Sequence, residues 1–145
     1  MTAIRDRFRL DPRGEYSIEV DPRTVGSDTI GLLAELGFNR ISLGVQDFDP
    51  QVQQAVNRIQ SEEQTRAVIE AARAAGFRSV NVDLIYGLPK QNVIGFNRTL
   101  ERVIDAGPDR IALYNYAHLP AVFKPQRRIA EADLPTPDAK LQLLS

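Results

Sequence analysis

The sequence of 145 residues contains no cysteine and only one histidine, His118. The absence of cysteine excludes disulfides, thiol catalysis and thiolate metal sites from this chain, and a single histidine excludes a histidine-rich metal cage. The 18 basic and 19 acidic residues nearly cancel, and no long run of like charges occurs. The sequence therefore has no electrostatic footprint for nucleic acid or for an anionic membrane, and a ligand would have to be recognised by a local site.

Long apolar runs are also missing. No stretch approaches the roughly 20 residues that a membrane helix needs, and the N-terminus alternates charged with apolar residues. These features predict a cytoplasmic protein without a membrane partner. The hydrophobic share of 43% is enough for a buried core, and no linker or low-complexity segment divides the chain. One domain spanning residues 1–145 is therefore expected.

Four short β-type runs alternate with stretches of helical periodicity, which is typical of βα units around a parallel sheet. The runs cover residues 16–21, 40–46, 78–86 and 110–116. The predicted fold class is α/β, with about four parallel βα units. A closed barrel of this type takes eight units and about 250 residues. The chain is therefore expected to form part of a barrel.

Capping residues and apolar stripes define the helices between these runs. Ser27 is a candidate N-cap of the first helix, Asp49 of a short helix that begins near Pro50, and Ser61 with Gln64 forms a capping-box pattern for a third. Apolar residues at helical spacing are predicted to face the core. They are Ile30, Leu32, Leu33 and Leu36; Val52, Ala55, Val56 and Ile59; Ala67, Val68, Ala71, Ala72 and Ala75; and Phe96, Leu100, Val103 and Ile104.

Polar side chains alternate with apolar ones along the first three β-type runs. Because successive side chains of a strand point to opposite faces, Glu19, Gln46 and Asp83 are predicted to share the inward face near the ends of their strands. Barrel enzymes place their chemistry at the carboxyl ends of the strands. The pattern therefore predicts a polar lumen with a shared site. For Glu19 alone, a structural salt bridge with Arg40 or Arg58 is the alternative.

Three further features leave alternatives open. Arg58, assigned to the short helix, could grip a carboxylate with two hydrogen bonds or could be a solvated helix charge. The turn at residues 86–89 could contact a ligand or could serve only as a turn. His118 could act as a general acid, as a haem ligand or as a hydrogen-bonded loop residue. No catalytic residue is assigned, and no metal ligand is predicted in this chain.

Five segments, taken in order, carry a resemblance to a known family. They are IEVDP (18–22), GFNRISLGVQDFD (37–49), VNRIQ (56–60), NVDLIYGLPKQ (81–91) and YNYAHLP (114–120). Together they closely resemble the oxygen-independent coproporphyrinogen III oxidases of the radical S-adenosylmethionine (SAM) superfamily, from about Glu15 to the end of the chain. A haem chaperone of the same superfamily is the second reading, and an unrelated βα-barrel fragment is the third.

The resemblance implies a three-quarter (β/α)6, TIM-like barrel that uses a 4Fe-4S cluster to cleave SAM reductively. It implies an oxidoreductase, a coproporphyrinogen dehydrogenase, that oxidatively decarboxylates two propionates of coproporphyrinogen III to give protoporphyrinogen IX in haem biosynthesis. An electron donor and a monomeric state are also implied. The family's SAM contacts fall on Glu19, Gln46, Arg58, Asp83 and Ala117 of this sequence.

Parts of the family pattern are missing from this sequence. The family's CxxxCxxC cluster loop and its Gly-rich SAM segment precede IEVDP, and its substrate-covering domain follows the barrel; none of the three occurs here. Thiolates hold such clusters, so this chain has no ligand for one. The chain is therefore expected to be an internal fragment of the enzyme that is inactive by itself.

Overall fold

Four parallel strands, consecutive in the chain, form one sheet. A computed structural model describes residues 2–144. The strands are β1 (Ser17–Val20), β2 (Arg40–Gln46), β3 (Ser79–Tyr86) and β4 (Arg110–Asn115). They lie in the order β1-β2-β3-β4, and each neighbouring pair is parallel. The predicted α/β class with four parallel βα units is confirmed.

Helices connect the successive strands, as parallel pairing requires. The α-helices of the described chain are α1 (Thr2–Arg5), α2 (Ser27–Glu35), α3 (Pro50–Ala55), α4 (Glu62–Ala74), α5 (Val93–Asp105) and α6 (Pro137–Gln142). Two 3₁₀ segments, Lys124–Arg128 and Glu131–Asp133, lie between β4 and α6. No helix within residues 2–144 is long and apolar enough to cross a membrane.

Local capping chemistry sets the helix starts. The Asp49 carboxylate accepts the N–H of Gln51 at 2.8 Å and caps α3. Ser61 and Gln64 form the predicted capping box of α4. Ser27, however, was wrong as an N-cap. The extended residue Gly26 takes that position, with its carbonyl accepting the N–H of Ile30, so that Ser27 is already the first helical residue.

The apolar core fills the space between the helices and one face of β2 and β3. Its fully buried members alternate along both strands as predicted. They are Ile41, Leu43 and Val45 of β2 and Val80, Val82 and Leu84 of β3, packed with Ile30, Val68, Ile69, Ala72, Phe96 and Val103 of the helices. Each large apolar side chain buried in this way contributes roughly 1.5–3 kcal/mol. The opposite face of the sheet is left for polar residues.

Four apolar residues assigned to the core are exposed, which corrects the predicted stripes. Leu32 is exposed because Ile30 lies on the buried side of α2. Ile59 lies outside α3, because the helix ends at Ala55 and the chain reverses at Asn57, whose φ is 54°. Ala67 faces outward because α4 is rotated so that Thr65, Val68, Ile69 and Ala72 form its buried side. Ile104 is exposed because Phe96, Thr99 and Val103 form the buried side of α5.

The segment after β4 returns to the rest of the fold. The N–H of Lys90, in the turn after β3, donates to the carbonyl of Asp133 at 2.7 Å. Leu143 is 6% exposed and joins the core. The chain beyond β4 is therefore tied to β3 and the core, although most of its side chains are exposed.

Candidate functional site

The face of the sheet opposite the core is polar. In register, Glu19 pairs with Ser42, Ser42 with Asn81, and Gly44 with Asp83. A cleft of about 360 Å³ lies along this face toward the amino ends of the strands, with Ser42 and Asn81 but none of the five predicted site residues among its lining residues. Residues of the predicted inward phase therefore do line a polar surface.

Asp83 lies at the centre of this surface and is 6% exposed. Its Oδ2 accepts a hydrogen bond from the Ser42 hydroxyl at 2.7 Å, and its Oδ1 accepts one from the Asn81 amide at 2.6 Å. Each oxygen keeps one further acceptor position. Asp83 shares the predicted inward face but lies three residues before the end of β3 at Tyr86, whereas Gln46 is the last residue of β2.

Gln46 and Arg58 meet above Gly44 at the carboxyl end of β2. A Cβ atom on Gly44 would lie 3.0 Å from the Gln46 Nε2 and 3.1 Å from the Arg58 Nη2. The guanidinium also donates from Nη2 to the carbonyl of Gly44 at 2.8 Å. The missing side chain at position 44 therefore makes room for an amide and a guanidinium side by side.

Arg58 is not on the short helix, which corrects the sequence-based assignment. It follows the reversal at Asn57, and its N–H donates to the carbonyl of Gln53 at 2.8 Å. Its side chain is 23% exposed and its Nη1 lies 3.3 Å from Asp21 Oδ2. The Nε is buried and has no hydrogen-bond partner within residues 2–144. Arg58 is therefore not a solvated helix charge, and one of its buried donors lacks a partner among the described residues.

The Asp21 carboxylate forms ion pairs with both Arg23 and Arg58. The Arg23 side chain donates to Asp21 at 2.6 Å and holds the pKa of that carboxyl at about 2, below its ordinary 3.8. Burial lowers the pKa of Arg58, and the nearby carboxylates of Asp21 and Glu19 oppose this shift. Asp21 therefore stays ionised beside Arg58 at neutral pH.

The Glu19 side chain is exposed and makes no hydrogen bond or ion pair with any residue that the structure describes. The two arginines considered as its partners are bound elsewhere: Arg40 pairs with Glu15, and Arg58 with Asp21. The salt-bridge alternative for Glu19 was therefore wrong. Its carboxylate remains available to a ligand on the inner face.

Ala117 lies in the loop after β4, and the Gln126 side chain contacts this loop on both sides of His118. The Gln126 amide donates to the carbonyl of Ala117 at 3.0 Å and accepts the N–H of Leu119 at 2.5 Å. Ala117 is exposed and is not hydrogen-bonded to the other four predicted residues. In the same loop, the Tyr116 hydroxyl lies 3.4 Å from His118 Nδ1, and burial raises the pKa of Tyr116. His118 is thus a hydrogen-bonded loop residue, and its other suggested roles stay predictions.

A larger cleft of about 560 Å³ lies between the end of α3 and the segment after β4. Asn57, Tyr116, Lys124 and Arg128 are among its lining residues, and none of the five predicted site residues is. Residues 2–144 contain no cluster of acidic, histidine or cysteine side chains that could hold a metal ion. The structure therefore brings Glu19, Gln46, Arg58 and Asp83 to one face, with Ala117 in a separate loop.

Sequence reasoning missed several residues that shape this site. Asp21 was not selected as a site residue, although it continues the alternation that selected Glu19. Gln91 accepts the N–H groups of Gly87 and Leu88, at 2.6 and 3.2 Å, and organises the turn after β3. The turn at residues 86–89 therefore has a structural role within the protein. These contacts join residues only three and four positions apart, but no pattern in the sequence singled out Gln91.

The family model described as the radical SAM superfamily matches residues 1–112 of this chain. The chain therefore belongs to the radical SAM superfamily. Among curated relatives, the oxygen-independent coproporphyrinogen III oxidase of Pseudomonas aeruginosa is 56% identical over 146 residues, covering 99% of this chain and 32% of the relative. The Escherichia coli protein of the same name is 51% identical over 144 residues, with the same two coverages of 99% and 32%.

Solved structures agree with these relatives. Coproporphyrinogen III oxidase from Escherichia coli, a radical SAM enzyme, matches with a TM-score of 0.94 and 50% identity over 99% of this chain and 33% of that one. Elp3 of Methanocaldococcus infernus matches with a TM-score of 0.74 at 18% identity, over 90% and 31% of the two chains, and so shares the fold alone. The family resemblance inferred from the five sequence segments is confirmed. The chain spans about a third of the length of the curated relatives it matches.

Proposed function

We propose that residues 1–145 form the central part of the barrel domain of an oxygen-independent coproporphyrinogen III oxidase. This oxidoreductase would decarboxylate two propionates of coproporphyrinogen III to give protoporphyrinogen IX in haem biosynthesis. The observation that carries the proposal is the meeting of Gln46 and Arg58 above Gly44. It lies at the carboxyl end of a strand, where barrel enzymes act, in a chain 56% identical to a curated protein of that name.

The donor and acceptor groups on the inner face fit SAM. The buried, unpartnered Nε of Arg58 suits the carboxylate of an amino acid, and the free carboxylate of Glu19 suits an ammonium or hydroxyl group. We assign Glu19, Gln46, Arg58 and Asp83 as SAM contacts, with Ala117 as a small residue beside the adenine. SAM supplies a deoxyadenosyl radical when it is cleaved reductively. The residues of this chain bind and orient it.

The residues of this chain do not fit the 4Fe-4S cluster that the superfamily uses. Thiolates hold such clusters, and the sequence contains no cysteine. Cluster ligands would therefore be supplied by other parts of a longer protein, and the 145-residue chain would be inactive alone. Coproporphyrinogen III as substrate, an electron donor, a monomeric state and a cytoplasmic location stay predictions.

The test compares the full-length protein with the 145-residue chain under anaerobic conditions. After reconstitution with iron and sulfide, both receive SAM, coproporphyrinogen III and a reductant, and the products are separated by chromatography. We expect deoxyadenosine and protoporphyrinogen IX to form with the full-length protein but not with the 145-residue chain. If deoxyadenosine forms without decarboxylation, coproporphyrinogen III is not the substrate. In that case, haem bound to the full-length protein would favour a haem chaperone. A 145-residue chain that keeps iron and sulfide through desalting would contradict the assignment of the cluster to other segments.

A further inference from the structure

The backbone at Gln46 adopts an unusual conformation. Its φ is 69°, and the N–H of Asp47 donates to the carbonyl of Val45 at 2.9 Å, so Gln46 is the central residue of a three-residue γ-turn. The register between β2 and β3 shifts at the same place, between Gly44 and Gln46. A residue with a side chain rarely adopts positive φ, and such strain persists only where the surroundings hold it.

Asp47 supplies the contacts that hold this turn. It is 1% exposed. Its carboxylate accepts hydrogen bonds from the Thr99 hydroxyl at 2.5 Å, the Gln91 amide at 2.6 Å and the N–H of Asp49 at 2.8 Å. Its carbonyl accepts the Gln53 amide at 2.9 Å. Groups from α3, α5 and the turn after β3 therefore converge on one residue next to Gln46.

The charge of Asp47 has no cation to balance it. None of the ion pairs of the described chain includes Asp47, so neutral donors alone compensate its burial. Burying a carboxylate in this way is costly compared with burying an apolar side chain. The arrangement is therefore not explained by packing. The Gln91 amide oxygen also accepts the N–H groups of Gly87 and Leu88. Gln91 therefore links Asp47, in the loop after β2, to the turn after β3.

We propose that Asp47 is a positioning residue for the SAM site and acts through Gln46. By holding the γ-turn, it keeps the Gln46 amide above Gly44 and beside the Arg58 guanidinium. This inference rests on the proposed function, in which Gln46 contacts SAM. It goes further by assigning a role to a buried residue that does not itself face the ligand.

The variant Asp47→Asn tests this role in the reconstituted full-length protein. In either orientation of the new amide, its NH₂ would face another donor, either the Gln91 NH₂ or the N–H of Asp49. Gln91 cannot turn over to relieve this without losing its contacts to Gly87 and Leu88. Relaxation of the turn should weaken SAM binding about tenfold in calorimetric titration. The exposed residue Asp105 provides the control: Asp105→Asn should bind SAM like the wild type.

A double-mutant cycle separates positioning from general destabilisation. If Asp47 acts through Gln46, adding Asp47→Asn to Gln46→Ala should change SAM affinity by less than about twofold, because the group it positions is already gone. Independent, additive losses would overturn the inference. The same tenfold loss in both backgrounds is what a merely structural effect would produce.

A milder variant covers the case in which Asp47→Asn does not fold. Thr99→Val removes one donor to Asp47 from a neighbouring helix and should weaken SAM binding about threefold. Unchanged affinity in Thr99→Val, or in a folded Asp47→Asn, would overturn the inference while the proposed function stands. A wild-type protein that does not bind SAM would refute the proposed function, and this inference with it.

Discussion

Strands β3 and β4 are neighbours in one sheet but lie in different surroundings. Leu84 of β3 and Leu113 of β4 are in register, yet Leu84 is fully buried and Leu113 is 44% exposed. The inner faces differ in the same way, since Asp83 is bonded to Ser42 and Asn81 whereas Tyr114 is 55% exposed. Packing on both sides thus holds the polar side chains of β2 and β3 in place. The outer face of β4 is an exposed apolar surface that includes Ile111 and Leu113.

The largest expected effect compares the same truncation in the two strands. Leu84→Ala should lower the free energy of unfolding by about 2–5 kcal/mol, because it opens a cavity in the core. Leu113→Ala should cost less than about 1 kcal/mol, because its site is already partly hydrated. Urea denaturation of the 145-residue chain followed by circular dichroism measures both. Equal losses would mean that β4 is covered as fully as β3.

Helix capping extends the comparison to a core helix, α4, and the C-terminal helix, α6. Ser61→Ala should cost about 1 kcal/mol, because the capping box holds a long helix that packs on the core. Thr136 accepts the N–H of Ala139 at 3.2 Å at the start of α6, a short and mostly exposed helix. Thr136→Ala should therefore cost less than half as much in the same denaturation experiment. A larger loss at Thr136 would show that the C-terminal segment carries more of the stability.

The smallest effect concerns charge at the carboxyl end of β1. The pKa of Asp21 is about 2 in the folded chain, mainly because Arg23 donates to it, and its ordinary value is 3.8. A lowered pKa means that ionised Asp21 stabilises the fold above about pH 4, and that this contribution is lost as the pH falls toward 2. Because the side chain is 26% exposed, the contribution is at most about 1 kcal/mol after solvent screening.

Unfolding free energies of wild type and Asp21→Asn, measured from about pH 5 to about pH 2.5, test this pH dependence. The difference between the two proteins should shrink as the pH falls. Arg23→Gln should remove most of the same pH-dependent contribution. A difference that stays constant over this range would show that Arg23 does not stabilise the charge of Asp21.

Local signals in the sequence were sufficient for the sheet and for most helix boundaries. Alternating residues identified β2 to the residue, and Asp49 and Ser61 marked their helices because each cap is a contact between near neighbours. The end of α3 was missed because the reversal at Asn57 has no glycine or proline to signal it. That error placed Arg58 on a helix and Ile59 in the core.

The site was predictable only in part. Alternation placed Glu19, Gln46 and Asp83 on one face, because strand phase is local. It could not predict the γ-turn at Gln46 or the bonds that hold it, because Asp47 and its partner Gln91 are 44 residues apart. That Arg58 bonds to Gly44 also follows from a tertiary contact over 14 residues. Period-2 and helical patterns contain no information about such contacts.

Calorimetric titration of SAM into the reconstituted full-length protein tests most directly whether Arg58 is part of a binding site. Arg58→Ala should weaken binding by about tenfold to a hundredfold, because a partly buried, charge-assisted hydrogen bond is lost. Arg98→Ala, which removes an exposed arginine of α5, should leave the affinity unchanged. Arg73 is a less suitable control, because its guanidinium donates to the carbonyl of Gly107. Equal affinities of wild type and Arg58→Ala would contradict the proposed SAM site at the carboxyl end of β2.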